Sequence, residues 1–324
     1  MSRLVSNAPT SGAWKATTVL ALLCALGAGV APARAAAEVR DGATAVTRRA
    51  AAAEPAGGAV AAPKRAAAAV PQRIVSLAPS VTETLFALGV GARVVAVSSF
   101  CDYPPEVAVL PKVGSFLVPN VEAIVALRPD VVIGTPTPGN RDAVMTLRRL
   151  GVRVEIADST HLADLLQATR KSAAAAGVAE AGERLVAEID REMEGVRTRV
   201  AGAPLRRVLM VVGHDPLIAV GHGSFLGELL EAARATNIAP ASGAWPHVSI
   251  EHVIAADPEV VIDSSMGTEA GAASGGFWIQ FPSLTAVRAS RVHAFRSDRV
   301  LRPGPRLPAA FADLARLIHP EQWR

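Results

Sequence analysis

Cysteine is scarce in this sequence, which contains only Cys24 and Cys101. Cys24 lies in an apolar run near the amino end, where lipidation is an alternative, although Leu23 precedes it at a position where a small residue is typical. Removal of this run would leave Cys101 alone. A chain with one cysteine forms no internal disulfide, even in an oxidising compartment. Its stability must therefore come from an apolar core, for which 50% of the residues are available.

An excess of charge of one sign is also missing. The formal net charge is +4, and Arg3, Lys15 and Arg34 are among the 33 basic residues. Without the amino-terminal 35 residues the balance is 30 basic against 29 acidic residues. Because no basic stripe is visible either, we do not expect the protein to bind nucleic acid.

Residues 1–35 have the pattern of an export signal. Two of the cations named above precede an apolar run over 16–30, and Ala33–Ala35 supplies small residues at the expected cleavage point. The run is shorter than the roughly 20 apolar residues that a membrane anchor needs, which makes an anchor the weaker alternative. We therefore expect cleavage after Ala35 and a periplasmic protein.

Two sets of β-branched runs indicate the fold class. Residues 36–71 are rich in Ala, Gly and Pro and are interpreted as a flexible tether. From residue 72 onward, apolar runs alternate with helical stretches such as 225–235, which predicts an α/β fold with two α/β lobes. The runs are Ile74–Leu77, Val94–Val97, Val131–Ile133 and Val152–Ile156 in an amino-terminal lobe (72–160), and Val208–Val212, Val260–Ile262 and Val292–Phe295 in a carboxy-terminal lobe (204–324).

Connecting helices are expected between the lobes, over 161–203. The segment Ala179–Val200 places Leu185, Ile189 and Met193 at helical spacing. At about 1.5 Å per residue it would span roughly 33 Å, the width of a small domain. We predict that it joins the lobes as a backbone helix, the alternative being a peripheral helix of one lobe.

The first helix of the amino-terminal lobe is predicted from its ends. Ser80 and Glu83 have the spacing of a capping box, in which each side chain would bond to the backbone of the other residue. Val81 and Leu85 would then face the core, and Gly89 is the expected stop.

An internal repeat relates the two lobes. The segments Asn120–Ile133 and Ser249–Ile262 align without gaps, and each has an N-cap residue, a short helix with Glu in its first turn, a Pro–acid turn and a buried strand. The repeat places Glu122 and Glu251 at equivalent points of the two lobes, which suits a partner with twofold symmetry. Each Glu also complements its helix dipole, and that role does not exclude docking.

Three aromatic residues are candidates for a ligand site, because such sites favour domain interfaces and the carboxyl ends of strands. Tyr103, the only tyrosine, follows the run at 94–97. Phe116 precedes the Asn120 cap, and Trp245 lies at the corresponding position of the repeat. Their neighbours are Pro, Gly, Asp or Asn, which predicts that the three rings lie on loops and face a cleft between the lobes. The alternative is that they pack in the core.

Several motifs follow one another between residues 72 and 320: Arg73–Ser80, Cys101–Pro105, Lys112–Gly114, Asn120–Glu122, Leu127–Asp130, Val248–Glu251 and Arg302–Arg306. This ordered set resembles the vitamin B12-binding proteins of ABC importers, which belong to the helical-backbone periplasmic binding protein family. The resemblance implies two lobes on a helical backbone, a ligand between them and small closing motions.

The resemblance also assigns residues. It implies that Glu122 and Glu251 meet basic residues of the paired permease subunits. Two segments depart from the pattern, since 135–137 and 299–300 lack the aromatic residues of the B12 binders. The residues expected to contact the ligand are Tyr103, Phe116, Trp245 and Asp298.

The expected function is therefore that of a monomeric binding protein without a catalytic residue or a cofactor of its own. It would capture cobalamin or a related corrinoid and deliver it to an ABC permease dimer with its ATPase subunits. An iron-siderophore or haem is the alternative ligand for the same class of importer.

The histidines of the sequence suggest two other classes of function, a hydrolase and a metal-binding protein. His214-Asp215, His222 and Ser224 could belong to a secreted hydrolase, but no Gly-x-Ser-x-Gly motif is present, and Ser224 is better explained as a helix cap. A direct metal site is not expected either, because the histidines of the second lobe match no compact zinc motif. These are His214, His222, His247 and His252.

Overall fold

Two open sheets flanked by helices make up the fold, as predicted. The computed structural model describes residues 69–265, 273–295 and 298–324, apart from the side chains of 273–275 and 298. The predicted export signal, Cys24 and all but the last residues of the predicted tether lie outside the described residues.

The first sheet is wholly parallel, with the strand order β2-β1-β3-β4. Its central strands are almost completely buried, which explains why their sequences are continuous β-branched runs. The strands are β1 (Ile74–Ser76), β2 (Val94–Val97), β3 (Val131–Gly134) and β4 (Val154–Ile156), and the helices of this lobe are α1 (Pro79–Ala87), α2 (Val121–Ala126) and α3 (Arg141–Arg149).

The second sheet is mixed, with the order β6-β5-β8-β9. β6 runs antiparallel to the end of β5, and β7 runs parallel to the beginning of β5. The strands are β5 (Arg206–His214), β6 (Leu217–Ala219), β7 (Ala235–Asn237), β8 (Val260–Asp263) and β9 (Val292–Ala294). The helices that follow the interlobe segment are α6 (Phe225–Ala232), α7 (Ile250–Ala256), α8 (Ala273–Ile279), α9 (Thr285–Arg288) and α10 (Leu307–Ile318).

Two helices connect the sheets, α4 (Asp164–Ala175) and α5 (Ala179–Val200). The bounds of α5 are those predicted. Leu185 packs against the cores of both lobes, whereas Ile189 and Met193 belong to the core of the second. α5 therefore spans both cores, which confirms the predicted backbone helix. No helix among the described residues is long and apolar enough to cross a membrane.

The predicted capping box of α1 is wrong. The N-cap is Ala78, which has no capping side chain, and Pro79 begins the helix. Ser80 is consequently inside α1, and Glu83 points away from the helix start to pair with arginines of the second lobe. The carboxy-terminal end is as predicted, because Gly89 adopts a φ of 76°, which favours glycine.

The predicted helix over 225–235 is too long. α6 ends at Ala232, Arg234 has a φ of 60°, and Ala235 already belongs to β7. Both β6 and β7 are absent from the sequence prediction.

The repeat is present in the backbone as well as in the sequence. Asn120 caps α2 by accepting a hydrogen bond from the N–H three residues on at 2.9 Å, and Ser249 caps α7 in the same way at 3.2 Å. Arg128 and Asp257 follow these helices at equivalent positions and have φ angles of 45° and 42°. The two helix–turn segments therefore share one local conformation.

A pair of hydrogen bonds from backbone N–H groups to carboxylates extends this equivalence to the strands. In the first lobe, the carboxylate of Asp130 accepts from the backbone N–H of Arg73 at 2.8 Å. In the second lobe, Glu259 accepts from the backbone N–H of Arg207 at 2.9 Å. Each acid directly precedes one strand, β3 or β8, and its partner arginine lies at the start of the neighbouring strand, just before β1 or as the second residue of β5. The same hydrogen bond therefore joins the beginnings of two strands in both lobes.

Candidate ligand-binding cleft

The carboxyl ends of the strands in the two sheets lead towards one another. β1 is followed by α1 with Glu83, and β2 by the loop with Asp102 and Tyr103. β9 is followed by the segment with Arg302 and Arg306, which contacts Glu83 and Asp102 of the first lobe. The two carboxyl edges therefore form opposite walls of a cleft, where open α/β sheets bind ligands.

Three charged groups at the centre of this contact are largely buried. Arg306 donates to Glu83 through Nε at 2.8 Å and Nη2 at 2.5 Å, and Arg302 Nη1 lies 3.3 Å from the same carboxylate. The side chain of Glu83 is only 2% exposed. Because the partners come from different lobes, this ion cluster ties the lobes together.

Asp102 closes the cluster on its outer side. Its carboxylate accepts two hydrogen bonds from Arg302, at 2.5 and 3.0 Å, and its side chain is 61% exposed. The hydrogen bond from Arg302 is the main reason that the pKa of Asp102 lies below its usual value. Asp102 therefore stays ionised beside Arg302 at neutral pH.

Tyr103 lies at the open side of this cluster. Its residue is 41% exposed, and the guanidinium of Arg306 stands 3.9 Å from the centroid of its ring. This distance is typical of a cation–π contact. Tyr103 is thus an exposed loop residue rather than a core residue.

The other two aromatic candidates have different neighbours. Phe116 is partly buried and meets Phe100 edge-on, with 5.3 Å between ring centroids. Trp245 is partly buried against the core of the second lobe. All three candidates lie outside helices and strands, but among the described residues no ring contact joins them.

Asp298 begins a 3-10 helix over Asp298–Leu301, and its side chain lies outside the described residues. The next two residues have structural contacts within the second lobe. Arg299 pairs with Asp313 at 3.3 Å, and Val300 is buried in the core of the second lobe.

A small cavity of about 10 Å³, roughly the space of one water molecule, lies between α1, α4 and Pro303. Pockets for drug-sized molecules usually measure roughly 300 Å³ or more, so a ligand of that size requires the lobes to separate first. Its lining includes the polar residues Ser80, Thr84, Thr135, Ser159 and Thr169.

The constellation considered for a hydrolase does not assemble. Oγ of Ser224 donates to the carbonyl of Gly221 and accepts from the N–H of Gly227, which makes it the cap of α6, as predicted. His222 instead lies 3.1 Å from Glu231 on the surface.

The histidines of the second lobe likewise have separate partners. His252 bonds to the carbonyl of Ile238 at 2.8 Å, and His247 is exposed. In the ranges that the structure describes, no three His, Cys, Asp or Glu side chains are grouped as a metal ion would require.

One cluster was missed by the sequence analysis. His214 at the end of β5 and Asp263 at the end of β8 are 2.8 Å apart, and Trp278 bonds to the same carboxylate. A signal existed in the sequence, because His214 and Asp263 are polar residues at the carboxyl ends of two buried apolar runs.

The two glutamates of the repeat are exposed in the first turns of α2 and α7. Hydrogen bonds from its own backbone N–H and from Ser249 lower the pKa of Glu251. One turn further on, each helix exposes an apolar residue at the equivalent position, Val125 in α2 and Ile254 in α7. Each lobe therefore presents one carboxylate beside one apolar side chain.

Two α/β lobes on a long helix, with facing carboxyl edges, define a class of ligand-binding proteins. Residues 74–297 match the family model described as periplasmic binding protein, and the chain belongs to this family. The family consists of non-enzymatic binders, and the chain is an ABC transporter substrate-binding protein, a class that works with a permease.

Similar proteins with different ligands share this fold. The vitamin B12-binding protein of Vibrio cholerae is 30% identical over 237 residues, which cover 72% of this chain and 84% of that protein. The structure of the periplasmic vitamin B12 binding protein BtuF of V. cholerae has a TM-score of 0.70 at 28% identity, covering 79% of this chain and 99% of that one. The periplasmic heme-binding protein RhuT from Roseiflexus sp. RS-1 has a TM-score of 0.68 at 31% identity, covering 78% and 99%.

Proposed function

We propose that this protein captures cobalamin or a related corrinoid in the cleft between its lobes and delivers it to the permease of an ABC importer. The observation that carries the proposal is the meeting of the two carboxyl edges, at which Tyr103 and the arginines of the second lobe stand together. The ordered motifs and the similarity to a vitamin B12-binding protein support the corrinoid.

Haem or an iron-siderophore is the second candidate ligand, favoured by the two arginines. A guanidinium group binds carboxylates in a bidentate manner, so Arg302 and Arg306 suit a ligand that carries acidic groups. Such a ligand would compete with Glu83 and Asp102 for these cations. The similarity to a heme-binding protein at 31% identity also supports this candidate.

We expect Tyr103→Ala and Trp245→Ala each to weaken ligand binding about fivefold or more, because truncation of a contacting aromatic residue usually costs at least about 1 kcal/mol. Calorimetry with aquocobalamin and with haemin measures the affinity. Trp323→Ala is the matched control, since Trp323 packs near Arg199 and Arg316 on another surface. Unchanged affinity in both cleft variants would remove these residues from the site.

The exposed glutamates of the repeat are proposed as the docking contacts. Opposite charges across an interface mainly guide encounter and orientation. Glu122 and Glu251 are exposed at equivalent points of two lobes, so each is suited to one subunit of a paired permease. The exposed Val125 and Ile254 beside them supply apolar area to the same contact.

Export with removal of residues 1–35 is part of the proposed function. We expect the secreted protein to begin at about Ala36, because small residues precede this position after an apolar run. Amino-terminal sequencing of protein from the periplasmic fraction measures the start. A secreted form that retains Met1 would contradict the expected cleavage.

A further inference from the structure

A histidine–aspartate pair lies at the carboxyl edge of the second sheet, and none of the roles above uses it. His214 ends β5 and Asp263 ends β8, two neighbouring parallel strands. β9 is the next strand, and the segment after it carries Arg302 to the first lobe. The pair therefore belongs to the wall of the cleft.

The carboxylate of Asp263 is fully buried and accepts hydrogen bonds on both oxygens. Oδ1 accepts from the backbone N–H and Oγ–H of Ser265 at 3.0 and 2.6 Å, and Oδ2 accepts from Nε1–H of Trp278 at 3.0 Å. All three of these contacts come from N–H or O–H donors, so both oxygens of Asp263 act as acceptors, as those of an ionised carboxylate do. Asp263 is therefore a fixed anion.

The state of Asp263 determines the tautomer of His214. An ionised carboxylate only accepts hydrogen bonds, so the proton between the two groups lies on Nε2 of His214, 2.8 Å from Oδ2. In neutral His214 the lone pair then lies on Nδ1. The imidazole is 25% exposed, and Nδ1 has no hydrogen-bond partner within the described ranges.

Aromatic packing holds the plane of this imidazole. The ring of Phe277 stacks on that of His214, with 4.4 Å between centroids and 8° between planes, and Trp278 meets it edge-on. A histidine that donates one N–H to a carboxylate and is held in one plane is oriented for metal ligation through its other nitrogen. The hydrogen bond to Asp263 and the packing of its ring therefore give His214 the surroundings that metal-binding histidines usually have.

We propose that Nδ1 of His214 coordinates the metal ion of a tetrapyrrole bound in the cleft. An ion taken directly from solution usually needs about four ligands from the protein. A metal that arrives within a corrin or porphyrin ring already has its equatorial positions filled, so one axial imidazole is sufficient. The inference rests on the proposed function and restricts its ligand class to metal-loaded tetrapyrroles with an open axial position.

The test compares ligands with and without a metal. Haemin, aquocobalamin and metal-free protoporphyrin IX are titrated into the intact protein, His214→Ala and the control His222→Ala, whose histidine pairs with Glu231 on the surface. We expect His214→Ala to weaken the binding of haemin or aquocobalamin at least about tenfold and to change the affinity for protoporphyrin IX by less than about twofold. The absorbance that is characteristic of imidazole ligation should disappear. Millimolar imidazole should restore this absorbance. The Asp263→Asn variant should keep the absorbance of imidazole ligation but bind the metal-containing ligand about tenfold more weakly.

The pattern of results distinguishes failure of the ligand class from failure of the role of His214. Wild-type protein that binds neither haemin nor aquocobalamin overturns the tetrapyrrole class and the role of His214 together. Binding that is equally strong in His214→Ala, with an unchanged absorbance, overturns only the role of His214. An equal loss of affinity for protoporphyrin IX and for haemin also overturns the role of His214, because the imidazole would then contact the ring and not the metal. Circular dichroism of each variant verifies that it is folded.

Discussion

Replacement of both Glu122 and Glu251 by lysine should nearly abolish transport by the reconstituted importer, while either single replacement should leave part of it. Both carboxylates are exposed and lie at equivalent points of the repeat, so each would serve one permease subunit. Reversal of charge at such a contact converts attraction into repulsion and impairs encounter. Uptake into proteoliposomes measures transport, and calorimetry measures ligand affinity, which should remain unchanged.

The control for this experiment has the same change of charge elsewhere. Glu188 and Glu192 are exposed on α5, and their joint replacement by lysine should leave transport close to the wild-type rate. Full transport by the Glu122→Lys, Glu251→Lys protein would show that these residues only stabilise the starts of α2 and α7. Equal losses in the test and control pairs would attribute the effect to net charge.

The variant Glu83→Gln should lower the free energy of unfolding by about 3 kcal/mol. Removal of one partner from a buried ion pair leaves the other charge without compensation in a poorly solvated place. Glu83 is 2% exposed, whereas Arg302 and Arg306 are 16% and 20% exposed in their side chains. Urea unfolding, extrapolated to water, measures the change.

Asp102→Asn is the matched control, because it removes a carboxylate from the same arginine. The Asp102 side chain is 61% exposed, and exposed ion pairs contribute about 1 kcal/mol or less. We therefore expect a much smaller loss than for Glu83→Gln. Losses of equal size would mean that burial of the cluster does not determine its contribution.

Elements specified by local sequence were predicted well. The apolar spacing of Ala179–Val200 predicts the bounds of α5, because the periodicity of a helix depends on neighbours three and four residues apart. The caps Asn120, Ser249 and Ser224 were found for the same reason, since each side chain accepts from a backbone N–H three residues on.

Features that depend on distant partners were not predictable in this way. The spacing of Ser80 and Glu83 fits a capping box, yet Pro79 begins α1, and the partners of Glu83 are 219 and 223 residues away. The same holds for the His214–Asp263 contact, whose residues are 49 positions apart. Only the adjacency of β5 and β8 brings them together.

Short edge strands escaped prediction for a related reason. β7 consists of Ala235–Asn237, which has little β-branched character, and it forms because Arg206–Val208 offers a free edge for pairing. β6 forms beside the end of the same strand. In both cases β5 supplies the hydrogen-bonding partner, and the short segment contributes little preference of its own.

The position of Tyr103 makes it a natural spectroscopic probe. It is the only tyrosine among 324 residues, and Arg306 of the other lobe stands over its ring. Fluorotyrosine supplied during expression would therefore give one fluorine resonance, and departure of the guanidinium would shift it. The separation and closing of the lobes could then be timed in solution without an engineered label, and each ligand would be recognised by the rate at which it changes this single signal.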